Sequence, residues 1–258
     1  MNISDRIKRT AAALVFGCAG LVATAPSAQA WEWNWGWGGK LIKGSGVMKT
    51  DTRNVSGFNQ ISLSIPGNVE IIQGSTEGIR IEGDDNIVPL VETVVEGGIL
   101  KIRFAEKNMS IGAKTLKLVV NAKTVEGLSV AGSGDLHAAK LQSAKLKASI
   151  AGSGDVNITS LDADTLTVSI AGSGNFAAGG KAKTIETRIS GSGDLKIGKL
   201  EANSVKVSIA GSGDAMVWAR DSLTVSVAGS GDVQYYGDAK VSQSVAGSGS
   251  VTRLGSAP

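Results

Sequence analysis

Between residues 129 and 251, apolar and polar positions alternate in short runs that each lead into the same phrase. Counting back from the residue before each glycine turn, positions four, two and zero hold Leu146, Ala148 and Ile150, then Leu166, Val168 and Ile170. The series continues with Ile185, Thr187 and Ile189, with Val205, Val207 and Ile209, and with Leu223, Val225 and Val227. The residues between them are polar or charged, as in Lys147 and Ser149 or Glu186 and Arg188. A period of two places one parity in a core and the other in solvent, so each run predicts a β-strand. Alternation resumes after the turn at Leu136, Val156, Phe176, Leu195 and Val233. Each unit therefore predicts two short strands broken by a glycine corner.

The phrase appears as SVAGSGDL (129–136), SIAGSGDV (149–156), SIAGSGNF (169–176), RISGSGDL (188–195), SIAGSGDA (208–215), SVAGSGDV (226–233) and SVAGSGSV (244–251), at intervals of 20, 20, 19, 20, 18 and 18 residues. Such a unit is too short for a βαβ crossover, which needs ~30 residues or more, and it carries no helical periodicity. It cannot bury its own apolar face and is stable only when stacked on its neighbours. One coil of a parallel β-helix fits, each strand pairing with its counterpart one coil away at ~4.8 Å. Glycine tolerates positive φ and close backbone approach at the corner, and the following Asp or Asn suits an Asx-type turn. The intervening serines are expected to stack, Ser133 over Ser153 over Ser173.

Residues 44–127 lack the phrase but keep the rhythm at Ile61-Leu63-Ile65, Val69-Ile71, Ile79-Ile81, Leu100-Ile102-Phe104 and Leu116-Leu118-Val120. They predict about four further, less regular coils, with a short helix or loop around Pro89 within 86–95. A single β-helix domain over 44–258 follows, with irregular coils over 44–127 and regular ones over 128–258.

The chain opens on a targeting pattern. Arg6, Lys8 and Arg9 precede the small apolar stretch Ala11–Ala23, and Ala28-Gln29-Ala30 forms a cleavage site, so 1–30 reads as a signal peptide and Trp31 as the mature N-terminus. A lipoprotein signal at Cys18 is the alternative, and Phe16 beside Gly17 fits it poorly. Cys18 is the sole cysteine, so the cleaved chain needs no disulfide in an oxidising compartment. Export to the periplasm, the outer membrane or the medium is expected. The leader holds three of the 26 basic residues and one of the 23 acidic ones, leaving a mature formal charge of +1, which offers no general field for nucleic acid. No later apolar run approaches the ~18 residues of a spanning helix.

Together, the signal peptide, SGFNQISLSIPGNVEIIQGS (56–75), GGILKIRF (97–104), the repeated AGSGD and YYGDAKVSQSVAGSGSVTRLG (235–255) resemble the bacterial family described as the "putative autotransporter adhesin head" or GIN domain. The likeness covers roughly residues 53–255, with the closing segment its most specific part. It implies a right-handed parallel β-helix, shaped like pectin-lyase-like proteins without their catalytic residues, and a role in adhesion or at the cell envelope. The Trp/Gly-rich segment 31–43, with WEWNWGWGG at 31–39, lies outside that pattern.

The chemistry-bearing residues are few. Asp135, Asp155, Asp194, Asp214 and Asp232 recur at one place in the repeat, with Asn175 and Ser250 on two units. Recurrence on every coil marks a turn element, and a weak cation-binding ladder is the second reading. Trp31, Trp33, Trp35 and Trp37 would share one face of an extended strand, suited to a membrane interface, a glycan or a protein partner; a flexible leader or a flap covering the first coil is the alternative. His137 is the only histidine and sits in a mostly polar, outward column, so neither a triad nor a zinc site can be assembled. Tyr235 and Tyr236 are expected to finish the last coils. No catalytic or cofactor constellation is present, and a non-enzymatic module displaying ladders of side chains to envelope polysaccharide, cell surface or protein is the favoured expectation. A polysaccharide-binding or pectin-lyase-like polysaccharide-acting protein, and an end-to-end structural polymer, are the alternatives.

Overall fold

The computed structural model describes residues 40–106, 109–112 and 116–258. Its strands are β1 (Lys40–Lys43), β2 (Met48–Arg53), β3 (Gln60–Leu63), β4 (Asn68–Gln73), β5 (Gly78–Asp84), β6 (Val91–Glu96), β7 (Ile99–Phe104), β8 (Met109–Gly112) and β9 (Lys117–Ala122). They continue with β10 (Gly127–Gly132), β11 (Asp135–Gly152), β12 (Val156–Gly172), β13 (Phe176–Gly191), β14 (Leu195–Gly211), β15 (Ala215–Gly229), β16 (Val233–Tyr236), β17 (Lys240–Gly247) and β18 (Val251–Gly255). Around Pro89 a single 3-10 turn spans Val88–Leu90. No helix among the described residues is long and apolar enough to cross a membrane.

The strands wind into a β-solenoid of about six turns. Successive long strands pair in parallel, and the register is the sequence interval: Ile150 lies beside Ile170, Ile170 beside Ile189, Ile189 beside Ile209, and Ile209 beside Val227. With Val130 these residues form an inward column at 1–3 % exposure. Thr187 is fully buried in the next column, and its hydroxyl donates to the Lys206 carbonyl at 3.2 Å. A hydroxyl placed in an apolar column is tolerated only when such a partner satisfies it.

Each coil has three inward runs rather than two. In β12 the buried residues are Val156 and Ile158, then Leu161 and Ala163, then Leu166, Val168 and Ile170. The alternation slips by one at Thr159-Ser160 and again at Asp164-Thr165, and the pairing of β11 with β12 skips Ala139/Thr159 and Ala144/Asp164 at the same places. These are two further bends, made in β11 and β12 by adjacent outward residues without glycine or proline. Departures from 20 residues are absorbed there. The 19-residue coil loses its residue between Ile158 and Leu161, where Ala178 is followed by Gly179 and Gly180. The first 18-residue coil shortens between Met216 and Trp218 and regains one residue between Ala219 and Ser222.

Residues 44–127 depart from the stacking expected of them. Two rungs form, not four, and they stack out of chain order: β10 lies on β3 and β3 on β7, while the start of β11 lies on β4 and β4 on β9. The cause is antiparallel pairing. β6 folds back on β7 through Gly97-Gly98, both at positive φ of 59° and 78°, the backbone a two-residue hairpin requires. β5 runs antiparallel to β9, and β2 antiparallel to β5. Neither strand can therefore serve as a coil of a parallel stack. A separate parallel pair joins β1 to β8.

Candidate functional site

The glycine corner is built by contact between coils. Its first glycine, Gly152, has φ +127°, and a Cβ there would sit 2.4 Å from the Gly132 carbonyl oxygen. Its second, Gly154, is buried, and a Cβ would approach the Gly134 carbonyl oxygen to 2.1 Å. In this confined space the Ser153 and Gly154 amides both donate to the Gly132 carbonyl, at 2.8 and 3.0 Å. The same pair of bonds recurs one coil on, from Ser173 and Gly174 to Gly152.

The recurrent carboxylates act across coils as well. Asp135 Oδ1 accepts the Asp155 amide at 2.9 Å, and Asp155 Oδ1 accepts the Asn175 amide at 2.8 Å. The chain of acceptors continues from Asn175 to the Asp194 amide at 3.1 Å, Asp194 to Asp214 at 3.3 Å, Asp214 to Asp232 at 2.8 Å and Asp232 to Ser250 at 2.8 Å. An Asx turn within one corner would have bonded a neighbouring amide of the same coil. The side chain instead reaches the next coil, where the first amide after the glycine turn would otherwise lack an acceptor. Among the described residues no group of three or more His, Cys, Asp and Glu is placed to hold a metal ion.

The shortened bends change the surface as well as the register. Where the 19-residue coil carries Gly179 and Gly180, the surface sinks into an open groove of about 580 Å³ between Thr159 on one side and Lys199 on the other. Its far wall is Met216 and Tyr236, whose side chains lie over Gly198: a Cβ there would come within 2.9 Å of Met216 and 3.5 Å of Tyr236. Lys196 also lines it, with its ammonium 3.2 Å from Asp194. Sequence reading assigned Tyr235 and Tyr236 alike to finishing coils. Tyr235 does pack against the core, whereas Tyr236 faces the groove. The signal that could have found this site is the drop from 20 to 19 and 18 residues, since a shortened bend removes surface. His137 is exposed. The Trp31, Trp33, Trp35 and Trp37 stripe and the signal segment lie outside the described residues.

The family model "Putative auto-transporter adhesin, head GIN domain" matches residues 57–239. The chain belongs to this family. A crystal structure of a "putative adhesin" from Bacteroides fragilis is 29 % identical, with a TM-score of 0.76, covering 83 % of this chain and 100 % of that one. A "putative lipid binding protein" from Parabacteroides distasonis is 25 % identical at a TM-score of 0.71, with the same coverage of 83 % and 100 %. A "putative adhesin" from Parabacteroides merdae, 22 % identical with a TM-score of 0.65 over 83 % of this chain and 99 % of that one, shares the fold. No match was found among curated protein sequences. The GIN-domain match takes in the ladder from Asp135 to Asp232 and the groove's lining except Pro258. It stops at Ala239, so the segment expected to be the family's most specific part falls largely outside it, along with all of β17 and β18.

Proposed function

We propose that this chain is an exported, non-enzymatic adhesion module of the cell envelope, cleaved after Ala30 and binding by multivalent display. The observation behind this reading is a column of outward hydroxyls in register. Ser62, Ser129, Ser149 and Ser169 stand side by side, Arg188 interrupts, and Ser208, Ser226 and Ser244 complete the column. Successive members lie ~4.8 Å apart. A ligand that repeats along its length meets the same group on many rungs, and linked weak contacts multiply into useful affinity. Such a surface needs a rigid rod, which the interlocked corners supply. Membership of an adhesin-head family and likeness to structures bearing that description support the same reading.

A glycan array and an envelope pull-down test it. The parent chain is expected to be retained, and a Ser149→Glu/Ser169→Glu/Ser208→Glu/Ser226→Glu variant to lose most retention while keeping its β-type circular dichroism. No retention of the parent on any surface overturns the proposal. N-terminal sequencing of the secreted protein is expected to begin at Trp31, and any other start refutes the assigned cleavage.

The groove favours a second reading, in which a compact ligand with an apolar face, such as a sugar ring or acyl chain, rests on Met216 and Tyr236 beside Lys199. The structure from Parabacteroides distasonis described as lipid binding is consistent with this. Tyr236→Ala separates the two readings: it removes binding to the groove and leaves binding to the serine column intact.

A further inference from the structure

We propose that two copies of this chain join tail to tail through β17, forming a closed dimer with a twofold axis at Gln243. The two ends of the solenoid are finished differently. At the β7/β9 end the outermost strands are β6 and β2, both antiparallel additions and both charged. β6 carries Glu92 and Glu96, paired with Arg103 and Lys101 at 2.6 Å each, and β2 carries Lys49, Asp51 and Arg53. Charges on an edge strand are a standard guard against further pairing. At the other end, β17 pairs with β15 on one side only among the described residues. It is eight residues long, KVSQSVAG, and has neither proline nor bulge. Its only charge is Lys240, at one terminus.

The register of β17 on β15 sets Val241 over Leu223, Gln243 over Val225 and Val245 over Val227. Those three β15 residues are buried at 0–2 % exposure, so Val241, Gln243 and Val245 continue the inward columns. Yet Val241 and Val245 are each 38 % exposed, and Leu254 on neighbouring β18 is 42 % exposed. Among the described residues the core is thus left open at its last rung.

A second β17 laid antiparallel about Gln243 closes it in register. Val241 then faces the partner's Val245, the partner's Val241 faces Val245, and the two Gln243 side chains meet on the axis, where each amide can donate to the other's carbonyl. Inward parity is preserved at every position. A shift of one residue would set inward positions against outward ones, Val245 against Ser242 and Val241 against Ala246 in one direction, Val241 against Ser244 and Val245 against Lys240 in the other, so the pattern selects this pairing. Charge selects it too. Antiparallel strands hold the two Lys240 side chains at opposite ends, ~20 Å apart and beyond the Debye length at physiological salt, whereas parallel strands would set them side by side. The contact uses the same patch on both copies, so it closes at two. The end-to-end polymer considered from sequence would need a receptive opposite end, which β6 and β2 occupy.

Light scattering and sedimentation of the full chain over a wide concentration range are expected to give the mass of two chains. Val245→Lys leaves the monomer's circular dichroism unchanged, because its site is partly exposed, and raises the dissociation constant by more than about tenfold. In a Cys18→Ser background, Gln243→Cys is expected to form a reducible cross-linked dimer, whereas Thr224→Cys, one rung inward, does not. A monomer at all concentrations, a mass that keeps growing, or equal cross-linking of the two cysteine variants overturns the proposal.

Discussion

At the scale of single residues the corner leaves little latitude, and it does so through distances between coils. A Cβ at position 174 would lie 2.1 Å from the Gly154 carbonyl oxygen, so Gly174→Ala must push two coils apart. Its cost is expected to reach or exceed the ~1–3 kcal/mol of ordinary overpacking, read as a lowered urea midpoint. The Asp ladder makes a finer distinction. Asp155 Oδ1 accepts both the Asn175 amide at 2.8 Å and its side-chain Nδ2 at 2.9 Å, so Asp155→Ala leaves that exposed amide to water and is expected to cost ~0.5–1.5 kcal/mol. Asp155→Asn keeps an acceptor, as Asn175 does toward Asp194 at 3.1 Å, and is expected to be nearly neutral. Equal losses for Ala and Asn would mean that the charge, not the acceptor, is what matters. Because these oxygens already serve amides, millimolar calcium is expected to leave the Tm unchanged. A rise would establish the cation ladder instead.

Among the elements, the β6–β7 hairpin is held on its solvent side by ion pairs whose effect has a definite sign with pH. The Lys101 ammonium, by hydrogen bond and charge, holds the Glu96 carboxyl below its ordinary value, and Glu92 raises the Arg103 guanidinium by the same means. A depressed carboxyl stabilises the fold above the pKa of the unfolded chain, and that contribution is lost as pH falls through the lower folded value. Amide exchange protection in β6 and β7 is expected to weaken on acidification below the ordinary Glu range, and Lys101→Met to flatten that dependence. A pH profile unchanged by the substitution would assign the effect to other groups. This hairpin also shows where sequence reading stopped. Ile150, Ile170, Ile189 and Ile209 announced their own column because each precedes a glycine that admits no other residue. The bend at Thr159-Ser160 carries no such mark, and polar pairs of its kind occur in straight strands too, so three faces read as two. Gly97-Gly98 did mark a hairpin, but the rhythm around it matched a coil equally well. The groove escaped for a different reason: it is made by residues that are missing, and only the shortened intervals record them.

For the molecule as a whole, stability in a stacked rod is close to a sum over rungs and their interfaces, which permits a test that most domains would fail. Deleting residues 153–172 joins Gly152 to Ser173, and because Gly152 and Gly172 are register partners, every column above and below the cut meets its equivalent. The Asp ladder closes as well: Asp135 Oδ1 would accept the Asn175 amide in place of that of Asp155. The shortened chain is expected to fold with unchanged fractional β content, to unfold cooperatively, and to lose about one coil's share of its denaturant m-value, since m scales with the surface exposed on unfolding. Deleting residues 153–162 removes half a coil instead. It sets corners against faces, so that at the 20-residue register inward Leu141 would meet outward Ala171 and the corner Gly152 would meet inward Ala182, and a collapsed or aggregated product is expected. Circular dichroism and urea melts of the two deletions check this directly. If the full-coil deletion failed to fold while the half-coil deletion succeeded, the sequence interval would not be the unit of winding, and the adhesion reading, which depends on a rigid ladder of repeated groups, would lose its physical basis.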